Sequence, residues 1–70
     1  MDEIMFLYFD TEDCLERAYS PTDSDVNQFA PGASREEAVS YARHIGWVEG
    51  TSRTTDHGLT EVAFTRADVD

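Results

Sequence analysis

The chain of 70 residues contains no lysine and a single cysteine. With Cys14 alone no intrachain disulfide can brace the fold. The cysteine framework of a secreted mini-protein is missing, and so is a Cys/His set able to hold structural zinc. Basic residues are scarce altogether. Five arginines oppose fifteen Asp and Glu, for a formal net charge of −10. A surface of that sign repels nucleic acid and anionic membrane and steers basic partners toward itself. Long apolar runs are also lacking. The one at the N-terminus (MDEIMFLYFD) is preceded by acids instead of the basic residues of a secretory signal, and it is far too short to cross a bilayer. We therefore expect a soluble, cytoplasmic protein that begins at Met1. Internal repeats, low-complexity tracts and a glycine-rich phosphate loop are absent as well.

What remains argues for one small folded domain over 1–70. An apolar content of 40% with 11% aromatics exceeds what a disordered chain carries. A domain of this length buries only about 60% of its unfolded surface, so its core is small and its stability marginal. Such a domain has a radius of gyration of roughly 11 Å and is about 28 Å across. The same length of DNA duplex carries roughly 16 phosphates. Fifteen carboxylates are a comparable number of anions. Solubility or a halophilic source would account for the charge equally well.

EIMFLYF (Glu3 to Phe9) is apolar at both parities, the pattern of a central strand buried on both faces. In Asp10 to Ser20, Asp10 or Thr11 can cap a short helical turn with Leu15 and Ala18 facing inward, ended by Pro21. Pro21 to Gly32 reads as a loop, with a short edge strand expected at Val26 to Phe29. In the next segment Ser34 and Glu37 form a capping box. Ala38, Tyr41, Ala42 and Ile45 make one apolar stripe, Arg43 and His44 sit in the last turn, and Gly46 supplies the stop. Trp47 to Arg53 and Leu59 to Arg66 read as two strands around a TTDHG turn. The first is an edge strand or a ribbon anchored by Trp47; the second alternates, with Val62 and Phe64 on its buried face. The expected fold is α+β: one main helix on a small antiparallel sheet of three to four strands, with an extra short helix at 10–20.

Catalytic and metal constellations are poorly supported. Asp23, Asp25 and Asn27 alternate like the first ligands of an EF-hand. Gln28 then stands where the loop needs glycine, and Ser34 where it needs a bidentate glutamate. Cys14 could be paired with His44 or His57 as nucleophile and base, but the acids preceding it suppress a thiolate. Glu12-Asp13 and Glu36-Glu37 are sequence neighbours that diverge on a helix instead of facing one another across a cleft. These considerations exclude an obvious enzyme and imply no metal or cofactor. The stretch DTEDCLERAYSPTDSD remains, in which only Arg17 opposes six acids. Like charges so close together lower the stability of a small domain, a disadvantage tolerated where function requires it.

A very short, lysine-free, strongly acidic α+β domain without catalytic motifs resembles the small anti-CRISPR proteins of phages and mobile elements. The likeness is to the acidic ones directed against type I effector complexes, including type I-C, and it lies in size, charge and architecture. It implies a stoichiometric, non-enzymatic inhibitor whose carboxylates occupy a basic nucleic-acid-binding site, such as the Cascade-type subunit that reads the flanking DNA motif. The residues that would carry this partner contact are Asp10, Glu12, Asp13, Glu16, Asp23 and Asp25, together with Glu36 and Glu37. The implied protein is monomeric and binds neither nucleic acid nor membrane itself. A second, local resemblance joins SREEAVSYARHIGW to the helix-to-strand segment of the small NADH-dehydrogenase accessory subunits. A capped, alanine-rich helix meeting a strand explains that segment equally. The competing expectation is an accessory or scaffold subunit that docks through the apolar Trp47 edge, its charge serving only solubility.

Overall fold

A computed structural model describes residues 2–22, 26 and 28–67 of the chain. Two β-hairpins joined by a helix build one antiparallel sheet. β1 (Glu3–Phe9) and β2 (Leu15–Tyr19) form the first hairpin, α1 (Arg35–His44) follows, and β3 (Val48–Thr54) with β4 (Thr60–Arg66) forms the second. The sheet order is β2-β1-β4-β3. The first and last strands therefore pair at the centre, and α1 carries the chain from one edge to the other. The α+β class and the central position of the N-terminal apolar run agree with the sequence.

Register decides which side chains meet the helix. Met5 pairs with Phe64 and Leu7 with Val62 across the central strands, while Leu7 also faces Ala18 and Phe9 faces Leu15 on β2. Met5, Leu7, Phe9, Val62 and Phe64 have no exposed surface, and they pack with Leu15, Phe29 and Trp47 against the small side chains Ala38 and Ala42 of α1. Alanine at the contact lets the helix lie close to the sheet. Burial of this apolar surface, at about 25 cal/mol per Å², is the main favourable term of the fold.

The helix ends are specified locally. Ser34 Oγ accepts the Glu37 backbone N–H at 3.2 Å, and acids occupy the first turn and cations the last, matching the helix dipole. At the other end Gly46 takes φ 99°, Gly46 N donates to Arg43 O and Trp47 N donates to Ala42 O. These two bonds are the Schellman arrangement, for which glycine is the least strained residue.

Three expectations are corrected. Residues 10–20 form no helix; they are a tight loop and strand β2. A β-bulge at Tyr8/Phe9 puts Leu15 and Ala18, three residues apart, on the same core-facing side. That spacing imitates a helical period. Val26, Gln28 and Phe29 belong to no strand, and Asn27 lies outside the described residues. Phe29 is buried by packing its ring edge-on to Tyr41, at a centroid distance of 5.2 Å. Finally, β1 is buried on one face only. With a single helix available, Ile4 stays 38% exposed and Phe6 and Tyr8 are only half-buried.

Candidate functional site

Both hairpins close through the same loop geometry, and the first one positions the acids. Asp10 N donates to Cys14 O, Asp13 N donates to Asp10 O, and Asp13 adopts φ 59°. Thr55, Gly58 and Leu59 repeat these bonds, with Gly58 at φ 80°. The first side chain of each loop satisfies the backbone inside it. Asp10 Oδ1 accepts from Glu12 N at 2.9 Å and Cys14 N at 3.0 Å, just as Thr55 Oγ1 accepts from His57 N and Leu59 N. This is a type I turn closed by a left-handed residue.

The first loop is then joined to the start of α1. Leu15 N donates to Ala33 O and Gly32 N to Leu15 O, both at 2.7 Å, and Arg35 N donates to Asp13 O at 2.8 Å. The last bond satisfies a helix N–H that has no partner within the helix. Through these bonds Glu12, Asp13 and Glu36 come to line one open groove of about 710 Å³, with Glu49 of β3 on its far wall. Two arginines share that groove and each already holds an acid: Arg35 lies 3.8 Å from Asp13 and Arg43 lies 3.1 Å from Glu49. Glu12 and Glu36 have no such cation among the described residues. Glu37 continues the surface in an adjoining concavity that shares Glu36, Ser34 and Ser40 with the first.

The eight expected contact residues therefore divide. Glu12, Asp13, Glu36 and Glu37 share the surface beside α1. Asp10 is committed to its own loop, and Glu16 lies on edge strand β2. Asp23 and Asp25 lie outside the described residues. Cys14 bridges to Ser34, His44 ends the helix and His57 sits in the second loop, so three different elements carry them. Among the described residues no three His, Cys, Asp or Glu side chains gather as metal ligands. No described helix is long and apolar enough to cross a membrane. Trp47, expected to anchor an exposed edge strand or ribbon, is 3% exposed beside the fully exposed edge strand β3, and the Arg66 guanidinium covers its ring at 4.3 Å from the centroid.

The opposite face of the sheet was not anticipated. It carries a lateral row contributed by all four strands, Arg17, Tyr8, Glu61 and Arg53, each paired in register with the next. Arg17 stacks over the Tyr8 ring at 4.6 Å, Tyr8 faces Glu61 across the β1–β4 pair, and Arg53 Nε donates to Glu61 Oε1 at 2.7 Å. Arg53 and then Tyr8 hold the Glu61 carboxyl below its ordinary range. Partial burial, reinforced by Glu61, pushes the Tyr8 phenol up. Beside this row lie Phe6 with Tyr19 and Ala63, then Ile4 with Thr65 and Val48. The signal was present in the sequence as the second apolar parity of EIMFLYF, which needs a second covering layer to be buried.

Compared with protein-family models, curated proteins and solved structures, the chain shows no match.

Proposed function

We propose that the protein is a non-enzymatic, stoichiometric binding protein whose acidic surface beside α1 docks on a basic, nucleic-acid-binding surface of a partner and occludes it. The observation that carries this reading is the convergence of Glu12, Asp13 and Glu36 on one groove. They arrive there from two segments far apart in sequence. Backbone hydrogen bonds between the hairpin loop and the helix start hold them in place, so the charges are presented on a fixed frame. Pre-ordering reduces the entropy lost on binding. Local excess of negative charge accelerates encounter with a cationic groove and disfavours anionic competitors.

In its finer form the proposal follows the resemblance in size and charge: an anti-CRISPR that acts on a type I effector complex and prevents target DNA binding. The docking residues are Glu12, Asp13, Glu36 and Glu37, while Asp10 acts indirectly by closing the loop that presents Glu12 and Asp13. The competing reading is docking through the Trp47 ribbon and apolar edge; there the Trp47 ring is buried and the contact would fall to the exposed strand β3 beside it.

The test is inhibition of target DNA binding by purified type I effector complexes, with the protein titrated at several salt concentrations. Inhibition should weaken steeply as salt rises. It should also weaken at least tenfold in a variant carrying Glu12→Gln, Asp13→Asn, Glu36→Gln and Glu37→Gln whose circular dichroism is unchanged. Binding that is insensitive to salt and to these changes would overturn the proposal.

A further inference from the structure

We propose that the uncovered face of the sheet is a self-association surface, and that two copies of the chain pack face to face through it. Among the described residues four large hydrophobic side chains are exposed. Three of them, Ile4, Tyr19 and Val48, lie on this one face around the half-buried Phe6. The charged groups gather at one end, where Arg53 is already bonded to Glu61 and Arg17 is stacked on Tyr8, and Thr65 is the polar residue between Ile4 and Val48. An apolar centre with a polar margin is the usual anatomy of a protein interface.

Charge selects a second copy as the occupant. The chain carries −10, so approach through the acidic surface beside α1 sets like charge against like. On the open face Arg17 and Arg53 balance Glu61 and the bulge residue Glu16, so a second copy approaching through it meets a formally neutral surface in place of the acid excess beside α1. Arg17 is also the one arginine with no carboxylate at ion-pair distance among the described residues; the other four each hold an acid. Face-to-face packing stacks the two sheets about 10 Å apart with the helices outermost, leaving the two helix starts that carry Glu36 and Glu37 roughly 30 Å from one another. That separation exceeds the Debye length of about 8 Å at physiological ionic strength.

Area permits it. Four strands of about seven residues make a face of roughly 450 Å² in plan. With side-chain relief two such faces remove somewhat more than about 1,000 Å² from water, the lower end for a specific interface. The result is a reversible helix–sheet–sheet–helix dimer that presents an acidic groove on each outer side, in place of the monomer its charge alone suggests.

Sedimentation equilibrium of the full chain over a wide concentration range, at low and at 0.5 M sodium chloride, tests this. The expected mass rises with concentration from 7.9 kDa toward twice that value, and the dimer tightens as salt screens the net charge. Tyr19→Glu and Val48→Glu, at positions 51% and 64% exposed, should each weaken the dimer at least tenfold without changing the circular dichroism. Glu36→Gln should leave it intact. A mass of 7.9 kDa at every concentration, or a dimer that neither substitution affects, overturns the proposal. So does a dimer that dissolves as salt rises, which would place the contact between acids and arginines. Binding of a labelled single-stranded oligonucleotide that Tyr19→Glu abolishes would also overturn it, assigning the aromatic face to base stacking.

Discussion

Glu61 accepts a hydrogen bond from Arg53 across the β3–β4 pair and faces Tyr8 across the β1–β4 pair, so one carboxylate interacts with side chains of two neighbouring strands. Two pH effects of opposite sign follow. The folded state holds Glu61 below its ordinary value of 4.5, so its contribution to stability is present above 4.5 and disappears as pH falls through the lower folded value. Tyr8 is held above 10.0 in the folded state, so its contribution is present below 10.0 and disappears as pH rises through the folded value. Ultraviolet titration should show one phenol ionising above 10.0, and Glu61→Gln should bring it down. Urea unfolding across the acid range should show a shallower loss of stability for Glu61→Gln than for wild type. A phenol titration that Glu61→Gln leaves unchanged would mean that the Tyr8 shift comes from burial alone.

The two loop acids at 10 and 13 should respond in opposite directions. Asp10→Ala removes the acceptor of two backbone N–H groups and is expected to destabilise by about 1–2 kcal/mol. In a domain of this size that lowers Tm by roughly 4–8 °C per kcal/mol. Asp13→Gly relieves a left-handed backbone and forfeits only an exposed 3.8 Å ion pair with Arg35. Its stability should therefore be unchanged or raised by up to about 1 kcal/mol. Thermal denaturation of both variants decides the matter, and equal destabilisation would refute the assigned loop geometry.

These loops also show where the sequence was readable. The helix was legible from its Ser34 cap to Gly46 because each signal there is local and belongs to a single residue type. The second hairpin was legible because the TTDHG turn offers Gly58 or Asp56 for a left-handed position between two strand patterns, and Gly58 takes it. The first hairpin has the same bonds, but Asp13 occupies that position, and an acidic DTED followed by Leu15 and Ala18 imitates a capped helix. What distinguishes the two is pairing with β1, a tertiary fact. The candidate site was half legible for a related reason. Composition showed an acid excess, but only the bonds from Leu15, Gly32 and Arg35 bring the acids of 12–13 next to Glu36. The open sheet face was hidden by assuming that both parities of an apolar strand must be covered.

Adjacent residues at the start of β3 should differ sharply in their tolerance to truncation. Trp47 is 3% exposed and capped by Arg66, whereas Val48 is 64% exposed on the open face. Trp47→Ala is expected to cost about 3–5 kcal/mol, and Val48→Ala to stay within about 0.5 kcal/mol at dilutions where the chain is monomeric. Overall stability for this length is only roughly 4–10 kcal/mol, so the first variant should lose a large share of it and unfold at much lower urea than wild type. Trp47 is the sole tryptophan, so its emission reports the transition directly: blue-shifted in the native protein and red-shifted in urea. A red-shifted native emission would contradict its burial.

Salt should stabilise the fold. Four arginines are held by Asp13, Glu49, Glu61 and Glu3, so among the described residues Asp2, Asp10, Glu12, Glu16, Glu36, Glu37 and Asp56 have no cation within ion-pair distance. Screening weakens both attraction and repulsion. Each exposed pair contributes only about 0–1 kcal/mol, and the tightest two, Arg53–Glu61 and Arg66–Glu3, are partly sheltered with both bonds at 2.7 Å. Repulsion among the remaining acids acts over the whole surface and is screened throughout, because at 0.1 M the Debye length is already about 10 Å. The expected result is a Tm that rises by several degrees between 10 mM and 0.5 M sodium chloride. The rise should be smaller in a variant carrying Glu12→Gln, Glu36→Gln and Glu37→Gln. Repeating the scans with Tyr19→Glu separates this effect from salt-favoured self-association, because only the latter makes Tm depend on protein concentration. A Tm that falls with salt would mean that the four ion pairs outweigh the net charge, and that the acid excess imposes no strain on the fold.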